Sequence, residues 1–486
     1  MTGTSTDALA GRAVRGFVWT ALSFAGTRLL VFGMTVALAR LLAPAEFGVV
    51  AGGMAIIVFL EIGLDVGLGA SLIYEQERGI SRRVQTAFTV NFIVAGAMTI
   101  FAMLAAPTVA RLFHAADQVG LYRTLFTYLL IRGAAQVPDA ILKRDLGFRQ
   151  RAGVDLARVS VRVASALLLA VAGAGAWSIV LSLLLGEIVG VVLSWWVVKF
   201  WPTFALDRAA INQLLHFGLA AFAIKLVDAA ALDSDYLVVG ARLGPTDLGY
   251  YTIGYRLPEL LLFNVYWMFS TIAFPIYARY RDQGGDALAR VMLRVLRAIT
   301  LFSFPAGVGL ALVARDAILV LFGPRWSPAA FPMALIALTT ALASVGYASG
   351  DIFLATGKPG ILLGLNVPLT AALVVAMVVV APAGIAAVAA IHLAAASIEA
   401  PARLFLANRQ VRTTIGADLA AMRPGVTATL GVLVCAGPLR LLMPPSLGTL
   451  TATVAAGVVG ALSATWILER ATMLEAYGLL KGQLAR

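Results

Sequence analysis

Leu42-Ala43-Pro44-Ala45-Glu46-Phe47-Gly48 closes one long apolar run and opens the next, and Leu243-Gly244-Pro245-Thr246-Asp247-Leu248-Gly249 does the same 201 residues later. Both copies obey L-[AG]-P-x-[DE]-[FL]-G, and both follow an Ala-Arg pair, Ala39-Arg40 and Ala241-Arg242. Proline fixes φ and cannot continue a helical hydrogen-bond ladder behind it, while an acid suits the positive end of a new helix. Each copy therefore reads as a tight turn between two helices. Its recurrence in matching surroundings says that the chain is built as two similar halves.

The runs around these turns are of membrane length. Sixty per cent of the 486 residues are hydrophobic, only 13% are charged, and mean hydropathy is +0.91. A soluble domain could not hide so much apolar surface, so the expectation is an all-α integral membrane protein. With about 20 apolar residues per crossing, about 14 transmembrane helices follow. They fall at roughly 14–41, 47–73, 84–106, 119–138, 153–173, 177–199, 210–241, 247–275, 291–322, 329–355, 360–381, 384–406, 424–443 and 448–468. The repeat groups them into two pseudo-symmetric six-helix lobes plus two C-terminal helices. The N-terminal lobe takes residues 1–205 and the C-terminal lobe 206–415. Residues 416–486 hold two extra helices, read as an appendage, and a tail. Both halves start on the same side, so the repeat axis runs along the membrane normal.

Charge fixes the expected orientation. With the N-terminus in the cytoplasm, 25 basic residues fall in inside segments and 7 in outside segments. Basic residues collect in cytoplasmic loops, so both termini are expected to be cytoplasmic. The same rule accounts for the net charge of +12 without a nucleic-acid partner. The polar start, Met1–Gly11, precedes a run too long for a signal-peptide core, which reads as a retained first helix. The one cysteine, Cys435, lies in an apolar run, and His114, His216 and His392 have no metal-ligand spacing, so neither a disulfide framework nor a metal site is expected.

An ionisable group inside a membrane helix costs at least ~2.5–3.5 kcal/mol and marks function by default. Arg28 lies near the middle of the first span. Glu61 and Asp65 share a face of the second at i, i+4. Lys225 and Asp228 share a face of the seventh, with Asp233 and Asp235 further out. Arg256 and Glu259 lie on the eighth. These are the spans that the repeated turn pairs, and their charges must face one another or water. Arg28, Lys225 and Arg256 are the expected substrate-binding residues, since Arg and Lys suit a phosphate. Glu61, Asp65, Asp228 and Glu259 either hold those cations, as Glu61 would hold Arg28, or take up a proton. Arg132, Arg162, Glu187 and His392 are sparser charges elsewhere. Asp351 and Glu399 lie near cytoplasmic span ends and are expected to be solvated. Trp195, Trp196 and Trp201 read as interfacial anchors. Pro258, Pro305 and Pro368 are expected kink points.

The opening Arg15-Gly16-Phe17-Val18-Trp19, the first repeated turn, Asp65-Val66-Gly67-Leu68-Gly69-Ala70-Ser71-Leu72-Ile73 and Leu142-Lys143-Arg144-Asp145-Leu146-Gly147-Phe148-Arg149 resemble the polysaccharide transport branch of the multidrug/oligosaccharidyl-lipid/polysaccharide (MOP) exporter superfamily. The resemblance covers roughly residues 10–420. It implies a bacterial inner-membrane flippase that moves undecaprenyl-pyrophosphate-linked oligosaccharide for exopolysaccharide or lipopolysaccharide assembly. The lobes would alternate access around a cationic cavity, with proton or sodium coupling and no cofactor. Membrane lipids, a polysaccharide polymerase and export machinery are the implied partners. A lipid II flippase and a multidrug exporter of the same superfamily are the alternatives. A membrane polymerase or ligase ranks below them, because an enzyme of that kind needs a catalytic constellation at the outer face and every outside loop here is short.

Overall fold

The computed structural model describes residues 25–64, 82–145, 147–470 and 474, and among them there is no strand. The chain divides into two compact units, Met1–Gly249 and Tyr250–Arg486. In the first unit, α1 covers 25–41. It is followed by α2 (Pro44–Leu64), α3 (Arg82–Leu112), α4 (Val119–Arg144), α5 (Phe148–Val171), α6 (Ala176–Val198) and α7 (Arg208–Leu243). Then come α8 (Pro245–Tyr280), which starts at the second repeated turn, and α9 (Gly285–Phe322). The rest are α10 (Ala330–Ala355), α11 (Pro359–Val380), α12 (Ile385–Val411), α13 (Ile415–Leu442) and α14 (Leu447–Leu468).

Among the described residues, 10 helices are long and apolar enough to cross a membrane: α2, α3, α6 and α8 through α14. The chain is a multi-pass, all-helical membrane protein. Helices α4, α5 and α7 are of similar length but carry mid-helix charges, including Arg132, Arg158 and Lys225. Asp65 lies outside the described residues. Helix α8 widens into a π-turn over Glu259–Phe263 immediately after Pro258. Proline has no N–H to give and its ring crowds the carbonyl one turn back, so the backbone loosens there. Helices α9 and α11 run on through Pro305 and Pro368.

In the first unit the two repeated turns touch. A Cβ on Gly48 would overlap the carbonyl of Pro245, and one on Gly249 would overlap the carbonyl of Pro44. Glu46 closes the first copy, accepting from the Ala43 N–H at 2.7 Å as in a capping box. The second copy turns instead through Gly244 at φ +87°. Behind the turns, the Phe113 ring fills the space against Gly52 and Gly240. Phe88, Trp195 and Phe200 pack together towards the opposite end of α3. Trp195 is a packed ring whose indole N–H donates to Ala134 O at 2.9 Å. Trp196 and Trp201 are exposed.

The second unit packs around Tyr277, Met292, Leu296, Ile352, Phe353 and Leu404. Helices α13 and α14 are tied to it by charged contacts. Arg440 Nε on α13 approaches Asp316 Oδ2 on α9 to 2.8 Å, and that Asp is fully buried. At the other end of α13, Arg423 donates to Glu469 at 2.6 and 3.2 Å, and Asn408 of α12 donates to Asp418. Val375 and Val379 on α11, Val434 on α13 and Ile467 just inside the end of α14 are exposed, as suits a surface facing hydrocarbon.

Candidate functional site

Arg132 on α4 is the centre of a half-buried ion network inside the first unit, of whose charged groups Glu187 alone is buried. Its Nε lies 3.4 Å from Glu61 Oε1 on α2, and its Nη1 lies 3.7 Å from Glu187 Oε2 on α6 and 3.9 Å from Asp139 Oδ2 on α4. Arg158 on α5 extends the network. It reaches Asp139 at 3.7 Å, Glu187 at 3.8 Å and Asp155 at 3.8 Å. The Ser194 hydroxyl donates to Asp139 Oδ1 at 3.1 Å.

Local sequence explains why four helices deliver charge to one place. Arg132 and Asp139 are two helical turns apart and share a face, as do Glu187 and Ser194. Between them, Gly186-Glu187-Ile188-Val189-Gly190 forms a small-x-x-x-small notch. A Cβ on Gly190 would collide with the Arg158 guanidinium, and one on Gly186 would press on the Arg158 carbonyl at 2.9 Å. The notch thus seats Arg158 beside Glu187.

The network is loosely paired. Charge-assisted hydrogen bonds normally close to about 2.7–2.9 Å, whereas these ion contacts span 3.4–3.9 Å. Arg158 Nε and Nη2 and Glu187 Oε2 have no hydrogen-bond partner. Charges drawn in and held this way are costly compared with an apolar core, and they leave room for partners to exchange.

The second unit carries a different cluster, part polar and part aromatic. Arg403 on α12 pairs with Glu399 one turn earlier. Its guanidinium donates to Asn366 Oδ1 on α11 at 3.1 Å and lies 5.2 Å from the Tyr347 ring centroid. Tyr347 on α10 stacks on Tyr266 of α8, with centroids 4.2 Å apart. The Ser270 hydroxyl donates to Asp351 Oδ1 at 3.1 Å, and Tyr277 donates to Ala348 O at 3.1 Å. Between α10 and α12 lies a hollow with room for about one water molecule, bordered by Tyr347, Glu399 and Arg403.

The residues singled out by sequence fall as follows. Glu61 joins the first network, with Arg132 rather than Arg28 as its observed partner. Arg28 and Asp228 are exposed and Lys225 half-buried, all in the first unit. Arg256 and Glu259 are brought together in the second unit, 3.3 Å apart beside the π-turn of α8. Asp351 is buried, because α8 covers it, and is not solvated as expected. Sequence reading does not single out Asp139, just past the fourth span at roughly 119–138, or Arg158, near the start of the fifth at roughly 153–173. Their spacing to Arg132 and Asp155 was the available signal.

A family model described as "Polysaccharide biosynthesis protein" matches residues 37–331. The chain is similar to the succinoglycan biosynthesis transport protein ExoT of Rhizobium meliloti (strain 1021). The two are 26% identical over 325 residues, covering 67% of this chain and 65% of that protein. The teichuronic acid biosynthesis protein TuaB of Bacillus subtilis (strain 168) is 23% identical over 312 residues, 62% of each chain. The lipopolysaccharide biosynthesis protein WzxC of Escherichia coli (strain K12) is 21% identical over 368 residues, 73% of this chain and 72% of that one. The match spans somewhat less than two thirds of the first two relatives' own length. Among solved structures, the lipid II flippase MurJ in an inward closed conformation superposes with a TM-score of 0.75 at 14% identity, covering 94% of this chain and all of that one. An inward-facing MATE-family multidrug transporter of the MOP superfamily gives 0.64 at 14% identity, covering 82% and 99%. At that identity the likeness is one of fold.

Proposed function

The chain belongs to the polysaccharide biosynthesis protein family, and from that premise we propose that it is a flippase, not an enzyme. It carries undecaprenyl-pyrophosphate-linked oligosaccharide across the bacterial inner membrane by alternating access, for exopolysaccharide or lipopolysaccharide assembly. It crosses the membrane fourteen times, in two lobes of six helices plus two, with both termini in the cytoplasm. Arg28, Lys225 and Arg256 take the pyrophosphate. Glu61, Asp65, Asp228 and Glu259 couple its movement to a proton or sodium ion. Membrane lipid surrounds it, and a polymerase receives its product.

The observation that carries this reading is the Glu61–Arg132–Glu187–Asp139–Arg158 network. A helical protein gains nothing in stability from loosely paired charges inside membrane-length helices. A carrier that must pass a charged headgroup uses groups able to change partners there. The relatives whose names speak of succinoglycan, teichuronic acid and lipopolysaccharide synthesis support the same cargo class.

The test is a deletion strain complemented with Arg28→Ala, Lys225→Ala and Arg256→Ala, singly and together. Each should abolish surface polysaccharide while the protein inserts normally. Full export by the triple variant would remove the cationic-site assignment. Glycosyl transfer by the purified protein would remove the transporter reading itself.

A further inference from the structure

We propose that the exposed face of α9, near the start of that helix, binds the headgroup of one anionic phospholipid of the cytoplasmic leaflet. The inference is independent of the cargo and stands on the second unit alone.

One helical spacing makes the face. Arg290, Arg294, Ala298 and Phe302 follow one another at every fourth position, and all four are exposed. Residues so spaced form a ridge along a helix. The other side of the same turns is core, where Val291, Met292, Leu296 and Ile299 are buried together with Tyr277, Ile352 and Phe353. The ridge therefore points away from the interior of its unit. Along its length it changes from charged to apolar, which is the order of a phospholipid, headgroup first and acyl chain after.

Depth agrees with this assignment. Arg294 and Arg315 are 21 residues apart on α9, which is about 31 Å of helix and matches the thickness of a hydrocarbon core. Arg315 is exposed, and Arg297 is the one charge between the two. Arg294 thus lies at one edge of the hydrocarbon and Arg290 one turn further out, among headgroups. In the proposed orientation that edge is the cytoplasmic one.

Charge selects the lipid. Among the described residues, neither Arg290 nor Arg294 has an acid within ion-pair distance. Asp286, one turn earlier, stands in the first turn of α9, where the helix's own positive end favours an acid. Arg423 on the neighbouring α13 is already held by Glu469. Like charges four residues apart on a helix repel. A phosphodiester bridging the two guanidinium groups relieves that repulsion and accepts charge-assisted hydrogen bonds from both. A zwitterionic headgroup brings its own cation to the same place and gives up much of the gain.

The experiment uses full-length protein in phosphatidylcholine nanodiscs, with Cys435, the one cysteine, replaced by Ser and a fluorophore attached at Ala298→Cys. Phosphatidylglycerol or phosphatidylcholine, each spin-labelled high on the acyl chain, is titrated in, and quenching reads how strongly each lipid collects beside α9. Native mass spectrometry of the unlabelled variants reads the same preference with no probe on the ridge. An arginine near a membrane surface favours an acidic lipid about fivefold, so the intact ridge should prefer phosphatidylglycerol by about thirtyfold. Arg290→Gln combined with Arg294→Gln should reduce the preference to within about twofold of none. Arg409→Gln combined with Arg412→Gln removes two exposed cations at the end of α12, where Val411 packs by Gly285, and should change it by less than about twofold. A preference below about threefold with the ridge intact, or one that survives loss of Arg290 and Arg294, would overturn the proposal. An equal fall from the α12 pair would also overturn it, since the attraction would then belong to diffuse basic charge and not to a site.

Discussion

Replacing Arg132 by Ala should destabilise the first unit severely, and neutralising Glu61 should restore part of the loss. Arg132 lies 3.4, 3.7 and 3.9 Å from Glu61, Glu187 and Asp139. At the effective dielectric constant of about 20 that describes such sites, each contact is worth roughly 4–5 kcal/mol of gross attraction. Relief of the guanidinium's own desolvation returns several kcal/mol. The net cost of stranding the buried Glu187 and the half-buried Glu61 and Asp139 is therefore at most about 3–5 kcal/mol. For a unit of this size, about 1 kcal/mol shifts a melting midpoint by roughly 2–4 °C, so Arg132→Ala should lower it by about 10 °C. Adding Glu61→Gln removes one stranded charge and should recover on the order of 1–3 kcal/mol, the size of coupling seen between directly interacting groups. Intrinsic fluorescence of the eight tryptophans during heating in detergent reads both values. A melting point within about 2 °C of wild type for Arg132→Ala, or further loss on adding Glu61→Gln, would refute the reasoning.

Other substitutions probe separate parts of the fold. Gly48→Ala and Gly249→Ala should each cost about 1–3 kcal/mol through overpacking, because the new methyl meets a proline carbonyl; thermal melting checks it, and an unchanged midpoint contradicts the contact. Arg440→Ala should cost about 3–5 kcal/mol by stranding the fully buried Asp316, and Asp316→Asn added to it should recover a measurable part in the same assay. Gly190→Ala should displace Arg158 from its notch and slow flipping in proteoliposomes. A variant with wild-type flipping would mean that the seat of Arg158 is irrelevant to transport.

Much of the fold could be read from sequence because membrane helices declare themselves one at a time. An apolar run of about 20 residues needs no partner to be recognised, and the turns at Pro44 and Pro245 mark their own positions. The backbone change after Pro258 was likewise local, although its form, a π-turn, was not. The ion network was less legible, since depth in a span shows that a charge must face inward and not which charge it meets. Glu61 meets Arg132 of α4, a partner that its depth in the second span does not select. Asp351 looked solvated from its place near the end of α10, and only the crossing of α8 brings Ser270 over it. Pairings of this kind are set by helices distant in sequence, and one chain read alone does not contain them.

The repeated turn carries its meaning in its own spacing. Pro44 and Gly48 are four residues apart at the start of α2, as Pro245 and Gly249 are at the start of α8, so each pair lies on one face of a first helical turn. Each glycine receives the carbonyl of the other copy's proline. The contact is self-complementary in the sense of a two-fold interface, where residue i meets j and j meets i. One pattern thus supplies both the projecting group and the socket that receives it. Any side chain at the last position would block the socket, and any residue other than proline at the third would lose the preset φ that starts the helix there. The duplication that the sequence displays is therefore also a docking surface, formed by joining the two halves' equivalent turns face to face.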